Sequence, residues 1–345
     1  DEELAPTLRW DDGNYPWGYY QFAHLFVQRS TSHAVLALRT VNTLLAVGLI
    51  GAIIALADSG LKRGISVAVT VSWLPMGFYF VAGMNPSSWA MTGTFAFATG
   101  LLAATRSVGA RRVGLIACAA AGAVLACTSR GDSAFFLFVI TVALAFAVPI
   151  SKRIVPEAAL ACVSSIVGIW VMARTNVAAS HLGSGNEMAG YSLSHILWLN
   201  VLSLPTYLRG FVGHGLGPGW NDVSYRGTVS FGASLVVLAV LCWSLRQLTW
   251  RKALSAITVF GAITGVPVVI GLRGHFNNVH VYQPRYMLPL FAVFLLMLLA
   301  PSPTRAGDGR RVGSEAFRFP TSIAGRVGTD LVATLWALVN ARALY

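Results

Sequence analysis

Long apolar blocks divided by short, basic connections constrain this chain more than any other feature. A bilayer span needs roughly 20 largely apolar residues. Stretches of that kind fall at residues 34–57, 65–83, 88–105, 113–128, 134–150, 155–173, 228–246, 254–272 and 285–300. A weaker one at 327–341 is either a last helix or an interfacial segment. Of the 345 residues, 55% are hydrophobic and 11% charged, against about 25% charged in soluble domains. An all-α polytopic membrane protein of about nine to ten transmembrane helices is therefore expected. Several blocks are rich in Gly and Ala, which suits close helix packing. The net charge of +12 sits in clusters between blocks, without the basic-aromatic pattern of RNA binders, so nucleic acid is excluded as a partner and membrane lipids are expected.

The clusters Lys62/Arg63, Arg106/Arg111/Arg112, Lys152/Arg153, Arg246/Arg251/Lys252 and Arg305/Arg310/Arg311 fall in alternate connections. The positive-inside rule puts those connections in the cytoplasm and segments 1–33, 84–87, 129–133, 174–227 and 273–284 outside the cytoplasmic membrane. One integral membrane domain, 1–345, results. It comprises an outer acidic loop (1–33), a six-helix half (34–173), an outer loop with interfacial helices (174–227), a three-helix half (228–300) and a basic cytoplasmic tail (301–345). The outer set holds all seven histidines and most of the thirteen carboxylates, namely Asp1, Glu2, Glu3, Asp11, Asp12, Asp132, Glu187 and Asp222. Within 174–227, residues 192–212 present Trp198, Leu202, Tyr207 and Phe211 among polar neighbours and are interrupted by Pro205, which predicts one or two interfacial helices. Cys118, Cys127, Cys162 and Cys242 lie in apolar blocks without C-x-x-C spacing and read as small buried hydrophobes. The chain begins at Asp1 with no signal peptide, so a processed N-terminus or a preceding helix is expected.

Four outer constellations carry chemistry. WDDGNYP (10–16) pairs Asp11 with Asp12: either a general base with its orienting partner, or an Asx-turn built on Asp-Asp-Gly-Asn. Arg39, Arg130, Arg209 and Arg285 lie at outer helix ends, where a guanidinium can hold a phosphate bidentately. The alternatives there are snorkelling and, for Arg130, an ion pair with Asp132. GMNPSSWAMTG (83–93) offers Ser87/Ser88 as a helix N-cap, either a weak anion site or an ordinary capped turn. RGHFNNVHVYQPRYMLP (273–289) gathers His275, Asn277, His280 and Gln283, suited to sugar hydroxyls. Metal ligation there would require a carboxylate from elsewhere. His24 and His33 read as satisfied interface histidines. No cofactor is required by the sequence, and a divalent metal is compatible with it.

In order, these motifs (an acidic loop, LALRTVN, NPSSWA, GLGPGWNDVSY, QPRYMLPL) resemble a bacterial multi-pass membrane family labelled a domain of unknown function and related to the GT-C glycosyltransferases. WDDGNYP is similar to the Asp-Asp-Gly segment of actinobacterial cell-wall arabinofuranosyltransferases, whose acidic loop follows a first helix. The resemblance implies a GT-C-like fold. It also implies transfer of a sugar, arabinofuranose or mannose, from a polyprenyl-phosphate donor to a cell-envelope glycan or glycolipid on the outer face. Asp11 or Asp12, or else Asp1 and Glu2, would be the catalytic acids. Arg285, Arg130, Arg209 and Arg39 would bind the donor phosphate. Asn14, Tyr15, Trp17, Asn85, Trp220, Asn221, Asp222, His275, Asn277, His280 and Gln283 would contact sugar or acceptor, and 192–212 would cradle the lipid tail. A glycolipid transporter or flippase, expected to carry mid-span charges and an inverted repeat, and a non-catalytic subunit of an envelope assembly are the other readings.

Overall fold

A computed structural model describes residues 15–73, 75–175, 188, 190–213, 225–246, 248–277 and 281–301. The expected catalytic acids Asp1, Glu2, Asp11 and Asp12, together with Asn14, Trp220, Asn221, Asp222, His280 and the stretch 327–341, lie outside the described residues. The helices are α1 (Trp17–His24), α2 (Thr31–Leu56), α3 (Ser59–Ser72), α4 (Met76–Val81), α5 (Ser87–Ala104), α6 (Gly109–Ser129), α7 (Gly131–Ala147), α8 (Val155–Arg174), α9 (Leu193–Arg209), α10 (Gly227–Leu245), α11 (Trp250–Gly274) and α12 (Leu288–Leu299). No strand occurs among the described residues. Each apolar block from 34–57 to 285–300 is helical over most of its described residues, and the protein is an all-α polytopic membrane protein.

Among the described residues five helices are long and apolar enough to cross a membrane: α2, α6, α8 with its preceding turn, α10 and α11. The others are short or enclosed for physical reasons. Block 65–83 is not one helix: it begins earlier, at Ser59, and Pro75 separates α3 from α4, because proline cannot continue the backbone ladder. Helix α5 is enclosed on every side, buried from Ser88 to Ala104. Helix α12, with 12 residues, is about 18 Å long at 1.5 Å per residue, short of the hydrocarbon core. Its ends meet protein instead of lipid, which is where irregular backbone is tolerated at membrane depth. At its C-terminal end Lys252 Nζ donates to Leu298 O (3.1 Å) and Arg106 Nη2 to Pro301 O (2.8 Å). Two cations thus satisfy carbonyls that the helix cannot.

Close approach is set by glycine, as the Gly/Ala content predicts. A Cβ on Gly93 would lie 2.6 Å from Gly122 O, and one on Gly122 would lie 2.6 Å from Phe97 N. Backbone meets backbone between α5 and α6. A Cβ on Gly168 of α8 would likewise run into Ala134 O of α7.

The two ends of the bundle differ. At the basic end, Arg112 forms a bidentate pair with Glu157 (2.6 Å for both bonds), and Arg153 Nη2 donates to Ser107 O (2.8 Å). Cations that read as an orientation signal are thus also cross-links between helices. At the opposite end α1 packs on α6, where a Cβ on Gly18 would meet Thr128 Cβ at 2.5 Å. There Asn42 of α2 joins three elements: its Nδ2 donates to Gly83 O (2.8 Å) and Tyr19 Oη (3.3 Å), and its Oδ1 accepts from Trp89 Nε1 (3.1 Å). The LALRTVN and NPSSWA motifs meet in this node.

Of the one or two helices expected over 192–212, α9 is the single one that forms up to Arg209: it runs through Pro205, forgoing one backbone bond. Its Tyr207 points into the protein, buried, while Trp198 and Leu202 are exposed. One expectation is corrected. The cysteines are unpaired, but Cys162 and Cys242 are exposed on helix faces, where lipid would lie, and Cys118 and Cys127 are half-buried.

Candidate functional site

Helices α6 and α7 are joined by a single residue, Arg130, with extended backbone (φ −150°, ψ 146°). Ser133 stitches the turn, its Oγ donating to Ala126 O (2.8 Å) and Arg130 O (2.9 Å). So tight a junction presses the Arg130 side chain, 5% exposed, back over the first turn of α7. There Arg130 Nε donates to Asp132 Oδ1 (2.9 Å) and Nη2 to Asp132 Oδ2 (2.8 Å), while Oδ1 also accepts from Ser133 N (2.8 Å). Burial alone would lower the guanidinium pKa. The facing Asp132 carboxylate outweighs that and holds it well above its ordinary value.

Arg130 meets a second element from far along the chain. Its guanidinium lies 4.4 Å from the ring centre of Tyr286 and 5.6 Å from that of Tyr15. Tyr286 belongs to a 3-10 turn, Pro284–Tyr286, that leads into α12. Arg285 of the same turn stacks on the same ring at 5.2 Å and on Phe80 of α4 at 5.4 Å. Two guanidiniums therefore lie against one tyrosine, each contact an attraction between a cation and an aromatic quadrupole. Beneath them Tyr282 and Tyr207 are fully buried, and Tyr207 Oη donates to Gln283 O (3.3 Å). Burial pushes both phenols well above their ordinary pKa. The side-chain Oε1 of Gln283 is buried without a hydrogen-bond donor among the described residues. Arg285, Tyr286 and Tyr15 are half-buried, so this face is open.

The structure thus brings together Arg130, Arg285, Tyr15 and Gln283 from the expected set. Arg39 and Arg209 are exposed, and Arg39 Nε donates to Ala82 O at the end of α4 (3.1 Å). Trp17 is 74% exposed. The expected Ser87/Ser88 cap is corrected: Asn85 Oδ1 takes the Ser87 N–H (2.8 Å) and Ser88 Oγ donates to Val81 O (2.6 Å), so both serve the turn itself. His275 caps α11 in the left-handed region (φ 51°), and Asn277 Nδ2 donates to Ser203 Oγ of α9 (3.1 Å). His24 and His33 are exposed. Sequence reasoning missed Tyr286, Tyr282 and Tyr207 as site residues. The tyrosines flanking QPR in YQPRY were the available signal. Among the described residues no three His, Cys, Asp or Glu side chains come together as a metal site requires.

The model of the family described as Predicted membrane protein (DUF2142) matches residues 2–294. Neither the curated proteins nor the solved structures contain a match.

Proposed function

This chain belongs to the DUF2142 family of predicted membrane proteins, and from that premise we propose that it is a membrane glycosyltransferase. It uses a polyprenyl-phosphate sugar donor and an envelope glycan or glycolipid acceptor, with the reaction at the outer face of the cytoplasmic membrane. The observation that carries this reading is the convergence of Arg130 and Arg285 on Tyr286 at a half-open face of the bundle. Tyr15, the first described residue after the acidic segment, lies against the same Arg130.

A departing polyprenyl phosphate gains negative charge as the glycosidic bond breaks, and preorganised cations lower that barrier. Arg285 takes the phosphate, while Arg130, oriented by Asp132, supplies the second positive charge. Gln283 and the tyrosine rings offer an amide and flat apolar faces to the sugar. Asp11 or Asp12, a few residues before Tyr15 in sequence, takes the proton from the acceptor hydroxyl.

The test is sugar transfer in proteoliposomes from a radiolabelled polyprenyl-phosphate donor. Arg285→Gln is expected to lower kcat by roughly 10²–10³, the scale of one lost charge-stabilising donor. Asp11→Ala and Asp12→Ala are to be assayed in parallel. Undiminished transfer in both acid variants, or in Arg285→Gln, would sink the assignment.

A further inference from the structure

A groove of about 470 Å³ opens between the first turns of α9 and the last turn of α11, lined by Leu193, Ser194, Leu197, Leu272, Arg273 and His275. Its size falls within the roughly 300–1,000 Å³ of small-molecule sites. It lies at the end of the bundle opposite the basic loops, where helices reach headgroup level. Leu193 (60% exposed) and Leu197 (43% exposed) form an open apolar wall. Arg273 is exposed at the rim, with His275 beside it. Among the described residues Arg273 has no carboxylate partner: Glu157 pairs with Arg112 and Asp132 with Arg130, and Asp58 caps α3 at the basic end. Along α11 the exposed side continues through Val269, and a Cβ built on Gly265 or Gly261 meets nothing within 4 Å. The space below the groove is therefore open along the helix.

We infer that this groove binds an anionic phospholipid, one acyl chain against Leu193, Leu197 and Leu272 and the phosphate on Arg273. The charge pattern selects the headgroup. The exposed Arg273 guanidinium at the rim favours a headgroup whose phosphate carries net negative charge. A glycerol headgroup also brings hydroxyls, for which Ser194 is at hand. The inference is independent of the glycosyltransferase reading. Leu197 and Tyr207 are ten residues apart on α9, roughly 15 Å along its axis, and Tyr207 is the residue that reaches Gln283.

The experiment is lipid retention by native mass spectrometry of the full chain, exchanged from nanodiscs of equal palmitoyl-oleoyl phosphatidylglycerol and phosphatidylcholine. Phosphatidylglycerol is expected to be retained preferentially. Arg273→Gln should cut that preference by about tenfold, the scale of one lost charge-assisted bond. Leu197→Trp, which fills the groove and keeps the arginine, should abolish retention, whereas Arg174→Gln, at the same end on α8, should leave it intact. Melting temperature in lipid-free detergent verifies that each variant is folded. Equal retention of both lipids, or unchanged retention in Leu197→Trp, overturns the inference. So does stoichiometric displacement by undecaprenyl phosphate, which would assign the groove to an isoprenoid.

Discussion

Removing the charge of Asp132 while keeping its shape should be among the most damaging single changes to this protein. In Asp132→Asn the side chain retains one acceptor, but its amide nitrogen faces an Arg130 N–H. Both charge-assisted bonds, at 2.9 and 2.8 Å, are weakened or lost. The guanidinium stays 5% exposed and its charge loses its partner. Breaking a buried pair in this way costs about 3–5 kcal/mol, roughly two to four powers of ten in the folding equilibrium. Arg130→Met should cost a similar amount, because it leaves the carboxylate as the lone charge. The double variant Arg130→Met/Asp132→Leu should be less damaged than either single, since replacing a buried pair with apolar groups is often neutral or stabilising. A double-mutant cycle of Arg130→Met, Asp132→Leu and the two combined, by reversible unfolding in bicelles, measures this, the coupling appearing as non-additivity. Single costs below about 1 kcal/mol, the range of exposed pairs, or simple additivity in the double variant, would refute the reasoning. The double variant also separates folding from function: it should fold yet lose transfer.

Three further outcomes follow from geometry already given. Gly122→Ala should destabilise, because its Cβ would lie 2.6 Å from Phe97 N, whereas Gly48→Ala, with nothing within 4 Å, should stabilise by about 0.5–1 kcal/mol through backbone entropy; thermal melts of the two variants side by side decide it. Asn42→Leu strands Trp89 Nε1 and Gly83 O and should cost about 1–3 kcal/mol, read from the melt and from a shift in tryptophan emission. Tyr286→Phe keeps both stacked guanidiniums and should preserve stability to within about 1 kcal/mol, while Tyr286→Leu loses two contacts worth about 0.5–2 kcal/mol each; equal losses in the two would exclude stacking as the reason.

The spans were legible because block length reports directly on bilayer thickness, and the alternation of basic connections agrees with the antiparallel run of helices. The break at Pro75 was visible as a residue but lost in an apolar run, since hydropathy is blind to backbone hydrogen bonding. Pro205 left one helix or two open, and the structure has one: a helix docked through Asn200, whose Nδ2 donates to Phe276 O (3.0 Å), tolerates one missing bond. The site was only half legible. Arg130 and Arg285 could each be singled out, because an arginine against an apolar block needs a reason. Their meeting on one ring could not, since it depends on α6, α7 and α12 converging from distant parts of the chain. Asn42 was legible in principle, as a polar side chain in mid-block, but nothing local distinguishes a node of three hydrogen bonds from a ligand.

The ways in which cations are satisfied at the two ends argue for where an anion can act. At the basic end Lys252, Arg106 and Arg153 spend their N–H groups on backbone carbonyls, and Arg112 spends its own on Glu157. Such bonds lie in the plane of a guanidinium and compete directly with a phosphate for the same donors. A stacked contact uses the face of the guanidinium instead, so the Tyr286 ring holds Arg130 without claiming its in-plane donors, while Arg285 both stacks on that ring and donates from Nη2 to Tyr286 Oη (3.4 Å). Arg130 nonetheless commits two of its donors to Asp132, which makes it the anchored member of the pair. Arg285, on a 3-10 turn between Gln283 and α12, is half-buried where Arg130 is buried, and so is the more accessible of the two. The two arginines should therefore fail differently in the transfer assay: Arg285→Lys keeps a charge but loses bidentate geometry and should lower kcat in a folded protein, whereas Arg130→Lys should first lower the melting temperature.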